Sequence, residues 1–219
     1  MSAPLGTAAR GAARPLGESA RAATRPRIGI FGGTFDPIHV GHLAIARAAL
    51  EAVPLDRVIF VLAKRSPLKG RAPVASEEDR LAMIERTTAD EPCFAVSHIE
   101  LEREGPSYTV DTLEALRDEG ELYFILGSDA LAEFPRWRSP ERIAELATIL
   151  VADRPGAPLP PGGIPYRLFD APRLDISSRE LRARAARGRS LRYLVPYVAW
   201  RYIEERGLYR AEGRPSPRS

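Results

Sequence analysis

Two histidines three residues apart, His39 and His42, carry the strongest chemical signal in the sequence. They stand at the entrance to a stretch with helical apolar spacing, so both imidazoles are expected on one face of a first helical turn. An imidazole can donate a hydrogen bond to a phosphate oxygen, and it can carry a proton near neutral pH. The pair, which holds two of the chain's three histidines, therefore indicates a site where negative charge develops during a reaction.

The residues around the pair predict an element that suits a phosphate. Residues 27–31 form an apolar run that predicts a buried strand, which Gly32 and Gly33 are expected to break. Residues 34–40 form a polar turn, and helical spacing starts at Gly41. In a strand–loop–helix unit, backbone N–H groups and the positive end of the helix dipole meet at one place, and glycines let an anion approach closely.

Two further predicted strands end in polar residues. Residues 57–62 predict a second buried strand, and the loop that follows it, residues 63–75, is basic. Residues 122–126 predict another strand, which is followed by Gly127 and Asp129. Open parallel sheets bind ligands at the carboxyl ends of their strands. The basic loop could close over phosphates or be an ordinary solvated loop. Asp129 could accept hydrogen bonds from ribose hydroxyls or cap the next helix.

A second anion site is predicted where Ser177 and Ser178 precede a helix that carries Arg182. Hydroxyls and free N–H groups at a helix start bind anions, although a plain N-cap is the alternative.

Trp137 lies in a charged loop flanked by prolines. There it could stack on a flat ring, or it could simply be held at the surface.

Strands and helices alternate along the chain, which predicts a doubly wound, mainly parallel sheet in a single α/β domain. The domain is expected to span residues 27–210 and to end in a small helical part. Residues 1–26 are predicted to be a disordered extension, and residues 211–219 a frayed tail. The remaining predicted strands are residues 93–99, 148–152 and 166–169.

The charge and composition argue against several functional classes. The formal net charge is +3 and the pI about 9.2, but residues 1–27 alone carry +4, so the rest carries −1. A basic balance confined to the first residues argues against a nucleic-acid-binding face on the fold, and no apolar run approaches the roughly 20 residues of a membrane-spanning helix. The single cysteine, Cys93, fits a reducing cytosol, and one cysteine with three histidines cannot form a Cys/His metal cluster. We therefore expect a cytoplasmic protein with no nucleic-acid or membrane partner and no protein-built metal site.

The motif GGTFDPIHVGH at residues 32–42 resembles the signature of the HxGH nucleotidylyltransferases, in particular the bacterial nicotinate mononucleotide adenylyltransferases. The resemblance implies the Rossmann-like fold of that superfamily. It also implies the reaction of ATP with nicotinate mononucleotide to give nicotinate adenine dinucleotide and pyrophosphate in NAD biosynthesis, with Mg²⁺ accompanying ATP. The same resemblance extends to REGPSYTVDTL (103–113), LGSDAL (126–131), ISSRELR (176–182) and RGLYR (206–210).

The resemblance also implies roles for individual residues. His39 and His42 would contact the ATP phosphates and stabilise the transition state, with Arg182 as the third catalytic residue. The other residues expected at ATP are Gly32, Gly33, Thr34, Phe35, Lys69, Gly127, Asp129, Ser177 and Ser178. Those expected at the mononucleotide are Tyr108, Thr109 and Trp137.

Two positions depart from the family pattern. Leu68 stands where a loop histidine is usual, which leaves the contact between that loop and phosphate open. Arg179 stands where a small residue is usual, and it either adds a phosphate contact or faces solvent. Nicotinamide mononucleotide or phosphopantetheine as the acceptor remain alternatives, as does a non-catalytic nucleotide sensor. A homo-oligomer is left open.

Overall fold

The computed structural model describes residues 25–64, 72–153 and 163–211. Their core is a six-stranded sheet in which every neighbouring pair is parallel, in the order β3-β2-β1-β4-β5-β6. Strands covered on both faces are expected to be continuous apolar runs, and the central ones are. The strands are β1 (Arg27–Gly33), β2 (Arg57–Leu62), β3 (Phe94–Ser97), β4 (Glu121–Gly127), β5 (Ala147–Ala152) and β6 (Tyr166–Phe169).

Seven helices lie on the two faces of this sheet in the described part of the chain. They are α1 (Val40–Ala52), α2 (Glu77–Thr88), α3 (Thr109–Leu116), α4 (Ser128–Glu133), α5 (Pro140–Leu146), α6 (Ser178–Ala186) and α7 (Tyr197–Arg206), with a short 3-10 helix at Phe134–Arg136. Helices α1, α2, α6 and α7 share one apolar core with the sheet, and α3 and α5 share a second core on the opposite face. The predicted doubly wound fold with a helical C-terminal part is therefore confirmed.

A crevice opens between β1 and β4, where the winding of the sheet reverses. The two strands pair only as far as Ile30 and Phe124, although each continues for three more residues. Beyond that point β1 pairs only with β2, and β4 only with β5. A Cβ atom on Gly32 would meet nothing closer than the Phe124 ring at 3.9 Å, and one on Gly127 would meet nothing within 4 Å. Ligands bind at this position in doubly wound folds.

Each predicted strand is present in the structure, and its bounds differ from the predicted ones by at most two residues at either end. Strands β2 and β6 have the predicted bounds. Gly32 and Gly33 do not break the first strand, because both still pair with β2. The strand predicted at residues 93–99 is shorter, Phe94–Ser97. The division into residues 1–26, 27–210 and 211–219 stays a prediction, since residues 1–24 and 212–219 lie outside the described part.

Candidate active site

The loop after β1 is shaped by one buried aromatic ring. Phe35 is only 2% exposed, and its backbone has a φ of 45°. A Cβ on Gly33 would lie 2.8 Å from the Phe35 ring, so glycine is needed there to admit the ring. Gly33 thus has a packing role, and the predicted approach of an anion to its backbone stays a prediction. The burial of its ring also means that Phe35 can reach a nucleotide only through its backbone, whereas Gly32 is exposed beside the crevice.

The histidine pair lies at the start of α1, as predicted. His39 is the N-cap residue and is buried, and His42 is the third residue of the helix. Their rings stack with centroids 3.7 Å apart and an angle of 23° between the planes. A Cβ on Gly41 would come within 3.0 Å of the His39 ring. The glycine between the two histidines therefore leaves room for the ring of the first one.

The start of α6 docks against the loop that precedes α1. Ser178 donates a hydrogen bond from its Oγ to the Pro37 carbonyl at 2.9 Å. Arg182 donates from Nη1 to the Asp36 carbonyl at 2.6 Å. Ser177 caps the helix by accepting from the backbone N–H of Glu180. The two predicted anion sites, at the starts of α1 and α6, are thus adjacent in space.

Asp36 is a buried carboxylate that links this loop to the rest of the fold. Its two oxygens accept hydrogen bonds from the backbone N–H groups of Val74, at 2.8 Å, and Ala75, at 3.1 Å. Its Oδ2 lies 3.6 Å from Nη1 of Arg182. Burial raises the pKa of the Tyr209 phenol, and the Asp36 carboxylate adds to the rise. Asp36 belongs to the quoted motif, but sequence reasoning gave it no role.

On the other side of the crevice, Gly127 ends β4 and is the N-cap of α4. Asp129 lies in α4, and its side chain is outside the described part of the structure. The predicted contact of Asp129 with ribose therefore stays a prediction. Lys69 and Leu68 also lie outside the described residues, together with most of the basic loop.

The three residues expected at the mononucleotide are brought to the face that carries α3 and α5. Tyr108 is the N-cap of α3 and Thr109 its first residue. Trp137 is half-buried against Phe124, with ring centroids 5.8 Å apart. The guanidinium of Arg138 lies 4.7 Å from the centre of the Tyr108 ring, which joins the Trp137 loop to the start of α3. The sequence offered no signal for Arg138, because its partner lies 30 residues away.

The buried carboxyl group of Glu100 is hydrogen-bonded to α3. Thr112 donates from Oγ1 to Glu100 Oε1 at 2.7 Å. Burial raises the pKa of the Glu100 carboxyl, and the hydroxyls of Ser107 and Thr112 only partly oppose this rise. Ser107 also accepts a hydrogen bond from the backbone N–H of Lys64, at 3.0 Å. The turn before Tyr108 is therefore tied to the start of the basic loop.

Within residues 25–64, 72–153 and 163–211, no three His, Cys, Asp or Glu side chains gather in a way that could hold a metal ion. None of the helices in these ranges has the length and apolar character needed to cross a membrane.

Comparisons with known proteins agree on one family. The cytidylyltransferase-like family model matches residues 30–184. The chain is 52% identical over 194 residues to a probable nicotinate-nucleotide adenylyltransferase of Roseiflexus sp. (strain RS-1), covering 84% of this chain and 98% of the relative. It is 49% identical over 187 residues to a protein of the same description from Thermus thermophilus, covering 84% of this chain and 100% of the relative.

A solved structure with a similar fold is that of Plasmodium falciparum nicotinic acid mononucleotide adenylyltransferase complexed with NaAD. It has a TM-score of 0.68 and 19% identity, and the match covers 84% of this chain and 97% of that one. At 19% identity, this similarity supports a shared fold and nothing further.

Proposed function

The chain belongs to the cytidylyltransferase-like family and, within it, to the nicotinate-nucleotide adenylyltransferases, and on that premise we propose how it acts. It transfers AMP from ATP to nicotinate mononucleotide, which gives nicotinate adenine dinucleotide and pyrophosphate in NAD biosynthesis. The observation that carries this function is the 52% identity over 84% of the chain. The roles of individual residues, which follow, rest on the geometry around the crevice.

ATP is proposed to bind in the crevice between β1 and β4. Gly32 and Gly127 border this space without side chains, so a nucleotide can approach both strand ends. The triphosphate then lies toward the starts of α1 and α6, where the N–H groups of a first helical turn and the helix dipoles favour anions. Contacts of Ser178 with Pro37, and of Arg182 with Asp36, hold these two helix starts together.

The reaction needs no covalent enzyme intermediate. An oxygen of the mononucleotide's phosphate attacks the α-phosphorus of ATP and forms a new P–O bond. The bond from the α-phosphorus to the bridging oxygen breaks, and pyrophosphate leaves with that electron pair. Catalysis then consists of positioning and of stabilising the charge that develops. We assign the charge stabilisation to His39, His42 and Arg182, which surround the start of α1.

Mg²⁺ is proposed to enter as the complex with ATP. Mg²⁺ keeps several waters and is usually held by substrate phosphates with one or two carboxylates. The donor set at the starts of α1 and α6 fits such a complex, because N–H groups, imidazoles and a guanidinium suit the anionic phosphates. The nearby carboxylate of Asp36 already accepts two backbone hydrogen bonds.

The acceptor is proposed to bind against the start of α3. The backbone N–H groups at Tyr108 and Thr109 suit a carboxylate, because the first turn of a helix has N–H groups without partners inside the helix. The Trp137 indole, on the same face, would stack on the pyridine ring. A helix start that binds a carboxylate favours nicotinate mononucleotide, whose pyridine ring carries a carboxylate, over nicotinamide mononucleotide, whose ring carries a carboxamide.

For the cellular setting, we propose a cytoplasmic enzyme with no nucleic-acid or membrane partner. The formal charge of −1 outside residues 1–27 supports the first exclusion, and the single cysteine fits a reducing compartment. Homo-oligomerisation remains open, and size-exclusion chromatography with light scattering would decide it.

Pyrophosphate release by the purified chain tests the function. The assay contains ATP and Mg²⁺ with nicotinate mononucleotide, nicotinamide mononucleotide or phosphopantetheine in parallel reactions. We expect the highest kcat/KM with nicotinate mononucleotide. A higher value with another acceptor would overturn the substrate assignment. Binding of ATP without turnover of any acceptor would identify a sensor instead.

A further inference from the structure

Arg80 is a cation buried beneath the proposed ATP site. It lies in α2 and is 1% exposed, the largest of the fully buried side chains in the described part of the fold. A buried guanidinium is unfavourable unless its donors are paired. Burial lowers the pKa of Arg80, and the Asp36 carboxylate opposes this change. An arginine stays charged under such conditions, so a fixed positive charge lies inside the domain.

The guanidinium of Arg80 joins the carboxyl ends of two neighbouring strands. Its Nη1 donates to the Thr34 carbonyl, just after β1, at 2.9 Å. The same nitrogen donates to the Ala63 carbonyl, just after β2, at 2.9 Å. Its Nη2 lies 3.4 Å from the Lys64 carbonyl, where the basic loop begins. One side chain thus contacts the bases of both loops that are expected at the triphosphate.

We propose that Arg80 is a positioning residue that holds the Thr34–Phe35 peptide in the geometry required to bind the triphosphate. This inference rests on the function proposed above. A charge-assisted hydrogen bond to the Thr34 carbonyl polarises that peptide, which makes the Phe35 N–H a stronger donor. The buried Phe35 ring fixes the same peptide from its other end. Arg80 acts on ATP through these backbone groups and does not touch it.

Three variants separate positioning from a purely structural role. Arg80→Met removes both the charge and the donors, and Arg80→Lys keeps the charge but replaces the two terminal nitrogens, which reach three carbonyls, with a single ammonium nitrogen. Arg86→Met is the matched control, because Arg86 lies on the same helix and its guanidinium contacts only the ring of Tyr202, at 4.5 Å, among the contacts described. ATP binding is measured by calorimetry without acceptor, and KM is measured for both substrates.

The expected result is a selective effect on ATP. In Arg80→Met, the Kd and KM for ATP should rise about tenfold or more, as the loss of a charge-assisted hydrogen bond predicts. The KM for the mononucleotide should change less than about threefold, because none of the described hydrogen bonds of Arg80 reaches the residues of that site. Arg80→Lys should be intermediate, and Arg86→Met should match the wild type in both constants.

Four outcomes would contradict the proposed role of Arg80 in ATP binding. Unchanged ATP binding in a folded Arg80→Met protein overturns the proposal, as does an equal rise in both KM values. If Arg80→Met does not fold, a folded Arg80→Lys with normal ATP binding overturns it as well. Loss of folding in both variants assigns Arg80 to stability alone. Turnover by the wild type is measured separately, so failure of the proposed function would be seen without these variants.

Discussion

The backbone N–H of His39 donates a hydrogen bond to Nδ1 of His42, at 3.1 Å. A ring nitrogen that accepts a hydrogen bond carries no proton, so neutral His42 has its proton on Nε2. The rings of Phe31 and Phe35 meet the His42 ring edge-on, with centroids 6.1 Å and 5.0 Å away. His42 is therefore held in one orientation and one tautomer before any substrate binds.

This geometry predicts that His42 can be replaced without loss of the fold but not without loss of catalysis. In His42→Asn, the amide oxygen can still accept from the His39 N–H, while the Nε2–H that we propose as the donor to the developing charge is lost. Removing one preorganised donor to a developing charge lowers kcat by about 10²- to 10³-fold. We expect this loss in pyrophosphate release, with a melting temperature close to that of the wild type.

The third histidine supplies the control for that experiment. His98 is half-exposed and contacts Glu85 through Nε2 at 3.0 Å, away from the crevice. His98→Ala should release pyrophosphate at the wild-type rate. A His42→Asn enzyme as active as His98→Ala would remove His42 from the mechanism.

Two arginines on α6 test the second anion site. Arg182 donates to the Asp36 carbonyl and has 30% of its side chain exposed, whereas Arg179 is an exposed residue. The exposure of Arg179 favours the alternative in which it faces solvent. Because Arg182 joins α6 to the loop and is proposed to stabilise charge on the phosphates, Arg182→Ala should lower kcat/KM for ATP about 100-fold. Arg179→Ala should stay within about twofold of the wild type. Equal losses in the two variants would contradict the assignment.

Much of the fold could be predicted because its signals are local. Strand β2 follows from an apolar, β-branched run and β6 from a short run with aromatic ends. Helix α2 begins directly after Ser76, whose hydroxyl accepts from the Asp79 N–H as a local N-cap. Helix α5 was not predicted. Only Ile143 is fully buried in it, so the segment has almost no apolar periodicity to detect.

The residues of the candidate site also differ in whether a local sequence pattern reveals them. His39, Gly127 and Ser177 could be found because each stands at a helix start that neighbouring residues predict. Arg80 and Asp36 could not, because their partners are far along the chain. Thr34 lies 46 residues from Arg80, and Arg182 lies 146 residues from Asp36. Nothing in a helical pattern distinguishes a buried arginine from a solvent-exposed one.

The proposed stacking role of Trp137 can be observed directly by fluorescence. The chain has two tryptophans, so Trp200→Phe leaves Trp137 as the single indole fluorophore. Nicotinate mononucleotide should quench that fluorescence on binding, because a stacked pyridine ring contacts the indole.

Trp137→Ala should weaken binding of the mononucleotide by about 1–3 kcal/mol, which raises its Kd roughly 5- to 150-fold. Trp137→Phe should restore most of the affinity. Quenching by ATP alone, with none by the mononucleotide, would place the indole at the other substrate.

Glu100 gives the fold a pH dependence whose sign can be stated. Burial raises the pKa of this carboxyl above its usual 4.5. The folded state therefore holds the proton at pH values where the unfolded chain has already lost it. Such a group contributes stability that is fully present below the unfolded pKa and is lost as pH rises through the folded pKa.

Glutamine cannot ionise, yet its amide oxygen can still accept from Thr112 Oγ1. The free energy of unfolding of Glu100→Gln, relative to wild type, should therefore increase between about pH 4 and pH 7. Urea denaturation at several pH values measures this difference, with the exposed neighbour variant Glu102→Gln as the control that should follow the wild type. A difference that stays constant with pH would show that folding does not change the pKa of Glu100, and a change in the opposite direction would show that the ionised carboxylate is stabilised in the fold.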